Sequence, residues 1–120
     1  MKLSISQKCS NFVQSTKWSD IPEKIRENSK YYFLDWMGAL IAGSSTREAS
    51  IIQELIKDQD GAPQANIAGL KQKTSVLNAA LANGYISHIL EVDDLHKKSI
   101  THPAAPVDSA ALSIAQSINA

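Results

Sequence analysis

The sequence has few features that would crosslink the chain or attach it to a membrane. Cys9 is its single cysteine, so no internal disulfide can form, and the composition suits a reducing compartment. Cys9 has no catalytic context and is expected to be semi-buried. The most apolar stretch, residues 31–42, is too short to span a bilayer and is interrupted by Asp35. The first eight residues lack the apolar core and cleavage site of a signal peptide. We therefore expect a cytoplasmic protein that has no membrane partner.

Net charge is also missing, because twelve basic side chains balance twelve acidic ones. The basic residues are scattered, so no electropositive surface is expected to attract nucleic acid. There is no glycine-rich phosphate loop and no nucleophile elbow. No nucleic-acid partner and no cofactor are expected. The hydrophobic fraction of 43% is that of a globular domain, and 120 residues are enough to bury a core.

What the chain does have is apolar spacing of helical period, which predicts an all-α domain of about five helices. The clearest is a long helix that starts near Pro22 and ends at Gly43. Its predicted apolar face consists of Ile25, Tyr32, Phe33, Trp36, Met37, Leu40 and Ile41. Further helices are predicted over residues 3–16, 46–60, from Thr74 or Ser75 to about 89, and from about Pro106 onward. A short extended segment is predicted within residues 64–69.

The last predicted helix has an unbroken apolar face made of Val107, Ala110, Ala111, Ile114, Ala115 and Ile118. Neither a basic last turn nor a glycine or proline stop follows this helix. The pattern favours a cut inside a larger fold over a natural C-terminus.

The residues best suited to chemistry are concentrated between His88 and Pro103. All three histidines of the chain fall there, with three of its twelve carboxylates. Histidine can move protons near neutral pH, and carboxylates can orient an imidazole or act as bases. His102 is the preferred functional residue. It precedes a proline, which favours extended backbone, and a helix start, which favours anions.

Each member of this segment also has a purely structural interpretation. His88 shares a helix face with Leu77, Leu81 and Tyr85, which is typical of a hydrogen-bonded core histidine. Asp93-Asp94 can cap or end a helix, and His96 can be an exposed loop residue.

A metal site is not expected from the sequence. Imidazoles and carboxylates are suitable ligand types. The sequence, however, contains no closely spaced pair such as His-x-x-x-His, and structural zinc sites usually contain cysteines.

Several segments that cover nearly the whole chain resemble one family by their order. They are Ile21-Pro22-Glu23, residues 34–44, residues 78–84, His88, Glu91-Val92-Asp93-Asp94, and His102-Pro103 before an alanine-rich helix. In this order they resemble the MmgE/PrpD family, which includes 2-methylcitrate dehydratases, cis-aconitate decarboxylases and an iminodisuccinate epimerase.

The resemblance implies that residues 1–120 are part of an all-helical N-terminal domain, whereas the family's second, α+β domain is absent from this chain. It also implies a homodimer in the full-length enzyme. The family's acidic element and following histidine carry over as Glu91, Asp93, Asp94 and His102. Glu91 stands where the family often has Asp, and Leu95 where it often has Thr. The spacing to His102 is one residue longer than in the decarboxylase branch.

The function implied is that of a lyase or isomerase acting on a small di- or tricarboxylate by dehydration, decarboxylation or epimerisation. His102, Asp93 and Asp94 are the expected catalytic residues, with Asp94 preferred to orient the imidazole. Glu91 and His88 are expected to bind substrate. This chain alone is expected to be inactive, because it holds only part of the family's site. The alternative is a non-catalytic helical interaction module or an inactive truncated fragment.

Overall fold

The computed structural model describes residues 3–120, so Met1 and Lys2, at the start of the predicted 1–120 domain, lie outside the described residues. The helices are α1 (Ile5–Ser15), α2 (Glu23–Gly43), α3 (Arg47–Gln59), α4 (Val76–His88) and α5 (Ala104–Ser117). A 3-10 turn spans Trp18–Asp20, and β1 (Ala65–Asn66) pairs antiparallel with β2 (Lys73–Thr74). The prediction of an all-α domain with about five helices is confirmed. No described helix combines the length and the apolar character needed to cross a membrane.

Local sequence explains where α3 and α4 begin. The Thr46 hydroxyl accepts a hydrogen bond from the Ala49 N–H at 3.2 Å, and the Ser75 hydroxyl accepts one from the Asn78 N–H at 3.3 Å. Each bond satisfies a backbone donor that has no partner in the first helical turn. Of the two residues proposed to start α4, Ser75 is the cap.

The chain forms two compact units, one that ends at Lys30 and one that spans Tyr31–Ala120. In the first unit no residue of α1 is buried and Cys9 is exposed, so the expectation of a semi-buried Cys9 is wrong. The guanidinium of Arg26 lies 5.6 Å from the centroid of the Trp18 ring and donates to the Trp18 carbonyl at 3.2 Å. This cation–π contact fixes the 3-10 turn against the first turn of α2.

The second unit contains the core. Its buried members are Trp36, Leu40, Ala49, Ile56, Ala65, Ile67, Ala79, Ala82, Ile86 and Ala104. The small residues of α4 allow a close contact with α5. A Cβ added at Gly84 would lie 3.2 Å from both the Ala105 carbonyl oxygen and the Ser109 hydroxyl, so α4 and α5 are closely packed.

Helical periodicity identified the buried face of α2 only in part. On α2, Trp36 and Leu40 are buried as predicted, but Tyr32 and Ile41 are exposed. On α5, the large residues of the predicted apolar face are exposed, as expected of a face without a partner, and Ala104, Ala105, Ser109 and Ser113 are the buried residues. The buried serines are tolerated because their hydroxyls donate to carbonyls one turn back, as Ser113 does to Ser109 at 2.8 Å. Small size therefore decided which face of α5 packs on α4.

Gly43 marks a close approach between α2 and α4. A Cβ added there would overlap the carbonyl oxygen of Ile86, whereas a Cβ added at Gly38 has no described atom within 4 Å. We expect Gly43→Ala to lower the free energy of unfolding by about 1–3 kcal/mol, because the two helices must move apart. Gly38→Ala should raise it by roughly 0.5–1 kcal/mol, because alanine loses less backbone entropy in a helix. Urea denaturation of both variants measures the contrast, and similar effects of the two substitutions would contradict the close approach.

Candidate functional site

A buried aspartate lies between two histidines, one at the C-terminal end of α4 and one just before the start of α5. His88 is the last residue of α4, Asp93 lies in the following loop, and His102 stands two residues before α5. His88 Nδ1 is 3.0 Å and 3.2 Å from the two Asp93 carboxylate oxygens. His102 Nδ1 is 3.4 Å from Asp93 Oδ1, and the centroids of the two imidazole rings are 4.7 Å apart. We call these three residues the His–Asp–His cluster.

Burial differs sharply within the His–Asp–His cluster. The Asp93 side chain is 0% exposed, that of His88 is 45% exposed and that of His102 is 31% exposed. A buried carboxylate is costly unless donors surround it. A carboxylate can only accept a hydrogen bond, so His88 Nδ1 is the donor in its contact with Asp93. The cluster thus consists of a buried carboxylate and two imidazoles that are partly exposed to solvent.

The Nδ1 atom of His102 is unusual. Within residues 3–120 it is buried and has no hydrogen-bond partner, since its approach to Asp93 lacks the geometry of a hydrogen bond. Buried polar atoms without partners are rare, and each one calls for an explanation such as a catalytic role or a missing ligand. This nitrogen is therefore the most informative atom of the site.

The two adjacent aspartates perform different tasks. Asp94 Oδ1 accepts a hydrogen bond from the Ala104 N–H at 3.0 Å, so Asp94 caps α5 from ten residues upstream. This cap accounts for α5 beginning at Ala104 rather than near Pro106. The capping interpretation thus applies to Asp94, and Asp93 is the carboxylate that the structure brings to the imidazoles.

Asp108 lies in α5, and burial and the charge of Asp94 affect the pKa of its carboxyl. Burial, and to a lesser extent repulsion by the Asp94 carboxylate, raises the pKa of the Asp108 carboxyl above its ordinary value of 3.8. A carboxyl with a raised pKa in the folded state binds its proton more tightly there than in the unfolded chain. Its contribution to stability is therefore present at low pH and is lost as the pH rises through the folded-state pKa.

We expect Asp108→Asn to raise the melting temperature near neutral pH, because it removes a partly buried charge next to Asp94. The gain should shrink as the pH falls towards the carboxyl's ordinary pKa, where the proton neutralises the native side chain. Thermal melts of both proteins across this pH range provide the measurement. A gain that persists unchanged in acid would show that charge is not the cause.

Neither His96 nor Glu91 belongs to the His–Asp–His cluster. His96 is exposed and its Nδ1 lies 2.7 Å from the Ser99 hydroxyl, which in turn lies 2.7 Å from the Thr101 hydroxyl. This agrees with the loop interpretation of His96. Glu91 is exposed at the turn after α4, where its φ is 50°. The structure therefore brings His88, Asp93 and His102 together, but not Glu91.

An open groove of about 790 Å³ borders the His–Asp–His cluster. Its lining consists of Glu48, Ala80, Leu81, Gly84, Tyr85, His88, Ile89, Ile100, Thr101, His102, Ala105, Pro106 and Ser109. His88 does share a helix face with Leu81 and Tyr85, but this face borders the groove and is not part of the core. The interpretation of His88 as a core histidine is therefore wrong about its surroundings, although His88 is hydrogen-bonded.

Four polar residues of the groove, Glu48, Tyr85, Thr101 and Ser109, were not proposed from the sequence as site residues. Tyr85 lies three residues before His88, a spacing that puts both on one helix face and was a usable signal. Thr101 is next to His102 in the chain. Glu48 comes from α3, and nothing in the local sequence connects it with the histidines.

Comparison with known proteins identifies one matching family model and a similar protein from Aspergillus oryzae. The family model described as MmgE/PrpD N-terminal domain matches residues 7–120. The chain is also similar to the cis-aconitate decarboxylase-like protein oryM of Aspergillus oryzae, with 26% identity over 95 residues. That match covers 79% of this chain and 20% of the relative, so the chain spans about a fifth of the length of the curated relative it matches.

Proposed function

Because this chain belongs to the MmgE/PrpD family, we propose that it supplies part of the active site of a lyase or isomerase whose substrate is a small di- or tricarboxylate. The observation that carries the proposal is the His–Asp–His cluster, in which a buried carboxylate contacts two imidazoles beside an open groove. The printed name of the Aspergillus relative also supports a carboxylate substrate. The candidate reactions of this enzyme are dehydration, decarboxylation and epimerisation.

These reactions share one chemical demand, namely that a proton or a carboxylate leaves a carbon next to a carboxyl group. The electron pair left on that carbon must be stabilised by donors, and a base must accept the proton. In this proposal His102 transfers the proton or binds the departing carboxylate. Asp93 stabilises the positive charge that develops when an imidazole beside it takes up a proton.

The other residues take supporting parts. His88 is held by Asp93 and binds a substrate carboxylate at the edge of the groove. Asp94 acts as a positioning residue, because its bond to Ala104 fixes the start of α5 behind His102. Glu91 is proposed as a substrate-binding residue on the family resemblance, and its exposure leaves it available.

The start of α5 contributes less to anion binding than its position suggests. The N–H of Ala104 is already bonded to Asp94, and Pro106 has no N–H. The first three residues of α5 can therefore offer a substrate anion at most the N–H of Ala105. In this proposal the substrate carboxylate is therefore bound mainly by the imidazoles of His88 and His102.

The proposal extends to the full-length enzyme. In this proposal, the family's α+β domain follows the present domain in the full-length enzyme. The full-length enzyme acts as a homodimer in the cytoplasm and needs no nucleic-acid or membrane partner. Because the matched relative is about five times longer than the matched segment, residues outside this chain are expected to complete the site, and the chain alone is expected to be inactive.

Deuterium incorporation tests the proposed chemistry on several candidate substrates at once. The longest natural polypeptide that carries this chain is incubated in D₂O with citrate-type and aconitate-type acids, and products are followed by proton NMR. Epimerisation, decarboxylation and reversible dehydration all place solvent hydrogen on the carbon next to a carboxyl group. A folded protein that causes no incorporation and no conversion with any of these acids would refute the proposal.

A second function, a helical interaction module, is favoured by one observation. Large apolar side chains on α5 and at its C-cap remain exposed, with Val107 at 60%, Ile114 at 52% and Ile118 at 67%. Such a strip is typical of a surface that another protein covers. If this is the function, a partner binds this strip and the D₂O experiment shows no incorporation.

A further inference from the structure

The donor atoms of the His–Asp–His cluster lie at distances suited to a metal ion. One donor atom from each of His88, Asp93 and His102 lies within 4.8 Å of the other two. The distances from Asp93 Oδ1 to the two Nδ1 atoms are 3.0 Å and 3.4 Å. In a tetrahedral zinc site, bonds of about 2.0–2.2 Å put neighbouring donors roughly 3.3–3.5 Å apart. An ion that displaces the proton of His88 Nδ1 would contact all three residues once the side chains adjust to bring their donor atoms to these distances.

The chemistry of the donors narrows the kind of ion. Two imidazole nitrogens and one carboxylate oxygen suit zinc, cobalt or a similar first-row transition metal. Mg²⁺ and Ca²⁺ prefer a shell made of oxygen atoms, with six or more ligands. Three ligands from the protein also leave a fourth position open, as in catalytic zinc sites.

A second observation also supports a cation at this point. Among residues 3–120, the buried Nδ1 of His102 has no hydrogen-bond partner, although it lies near a fully buried carboxylate. A cation at this point would satisfy that nitrogen and neutralise Asp93 at once. His88 ends α4 and His102 lies two residues before α5, and these two helices are closely packed, so little backbone reorganisation would be needed.

We propose that His88, Asp93 and His102 bind one Zn²⁺ or a similar transition-metal ion at the edge of the groove. This departs from the sequence-based expectation of no metal. The ligands are five and nine residues apart along the chain, a spacing that no common zinc motif uses. The binding does not depend on the proposed reaction. One consequence does rest on it: a metal on His102 would compete with substrate for the same imidazole and inhibit turnover.

Direct titration of the tag-free chain with Co²⁺ and Zn²⁺ tests the site. We expect one ion per chain by calorimetry, and visible absorption from bound Co²⁺ of low coordination number that Zn²⁺ abolishes by displacement. His88→Ala and His102→Ala should each weaken binding by about 100-fold or more, because removing a ligand costs at least as much as removing a group that orients one. His96→Ala is the matched control, since this exposed histidine lies outside the cluster, and it should bind normally. Mg²⁺ should not compete.

The thermal midpoint provides an independent reading, because an ion that binds the folded state raises it. Zn²⁺ should raise the midpoint of the native chain and of His96→Ala, but not that of His88→Ala or His102→Ala. If an alanine variant fails to fold, Asp93→Asn and His102→Gln, which keep the side-chain size, replace it.

The proposal would be overturned if Zn²⁺ and Co²⁺ showed no saturable binding, or if their affinity were unchanged in both His88→Ala and His102→Ala. It would also be overturned if His96→Ala lost as much affinity as these two variants. None of these measurements involves substrate, so failure of the metal proposal is distinct from failure of the proposed reaction.

Discussion

Replacing His102 with alanine should lower the turnover of the full-length enzyme by about 100-fold or more, the scale expected when a general acid–base group is lost. The fold should survive, because His102 is partly exposed and its Nδ1 makes no hydrogen bond within residues 3–120. The substitution removes the imidazole that is most clearly free to act on a substrate. Steady-state kinetics with the acid that the D₂O experiment identifies, together with circular dichroism, measure both expectations.

His96→Ala is the control for this experiment. His96 bonds with Ser99 on an exposed loop, so its loss should leave turnover close to that of the native enzyme. Near-normal turnover in His102→Ala would show that the site assignment is wrong. Unfolding of that variant would show instead that His102 has a structural task.

Asp93→Asn should cause a second large loss of turnover, about 100-fold or more, because it removes the negative charge that would stabilise a protonated His102 and the carboxylate that holds His88. The asparagine keeps the size of a fully buried side chain but loses its charge. Its NH₂ group would also face a histidine nitrogen that now donates to Asp93, which favours the wrong tautomer. Stopped-flow or steady-state rates across the pH range, with a thermal melt, give the measurement.

Asp94→Asn provides a matched comparison, because it makes the same chemical change one residue further along. An asparagine oxygen can still accept the bond from the Ala104 N–H, so α5 stays capped. Turnover should therefore change little. If Asp94→Asn were as damaging as Asp93→Asn, or more so, the separate assignment of the two aspartates would be refuted.

The position of the His–Asp–His cluster has a simple structural basis. His88 ends α4 and His102 precedes α5, and the two helices pack closely where Gly84 meets Ala105 and Ser109. This close packing brings the two imidazoles within 4.7 Å of each other. A larger residue at position 84 would separate the helices and, with them, the two histidines.

Much of this arrangement follows from the sequence alone. Helical period and N-cap residues such as Ser75 predicted the helices to within a few residues, because both act over three or four positions of the chain. The order of motifs predicted the family that the comparison with known proteins confirms. The segment from His88 to His102 could also be identified from the sequence, since histidines and carboxylates are concentrated there.

Only the tertiary structure decided which helix faces are buried and which residues meet. Periodicity identifies an apolar face, but on α5 the small serine-containing face packs against α4 while Val107 and Ile114 stay exposed. Asp93 and Asp94 are chemically identical neighbours, so no local pattern could assign one to the imidazoles and the other to the cap of α5. That choice depends on the path of the loop between two packed helices. It is a non-local property, and the same loop path brings three residues with ordinary spacing to distances suited to one metal ion.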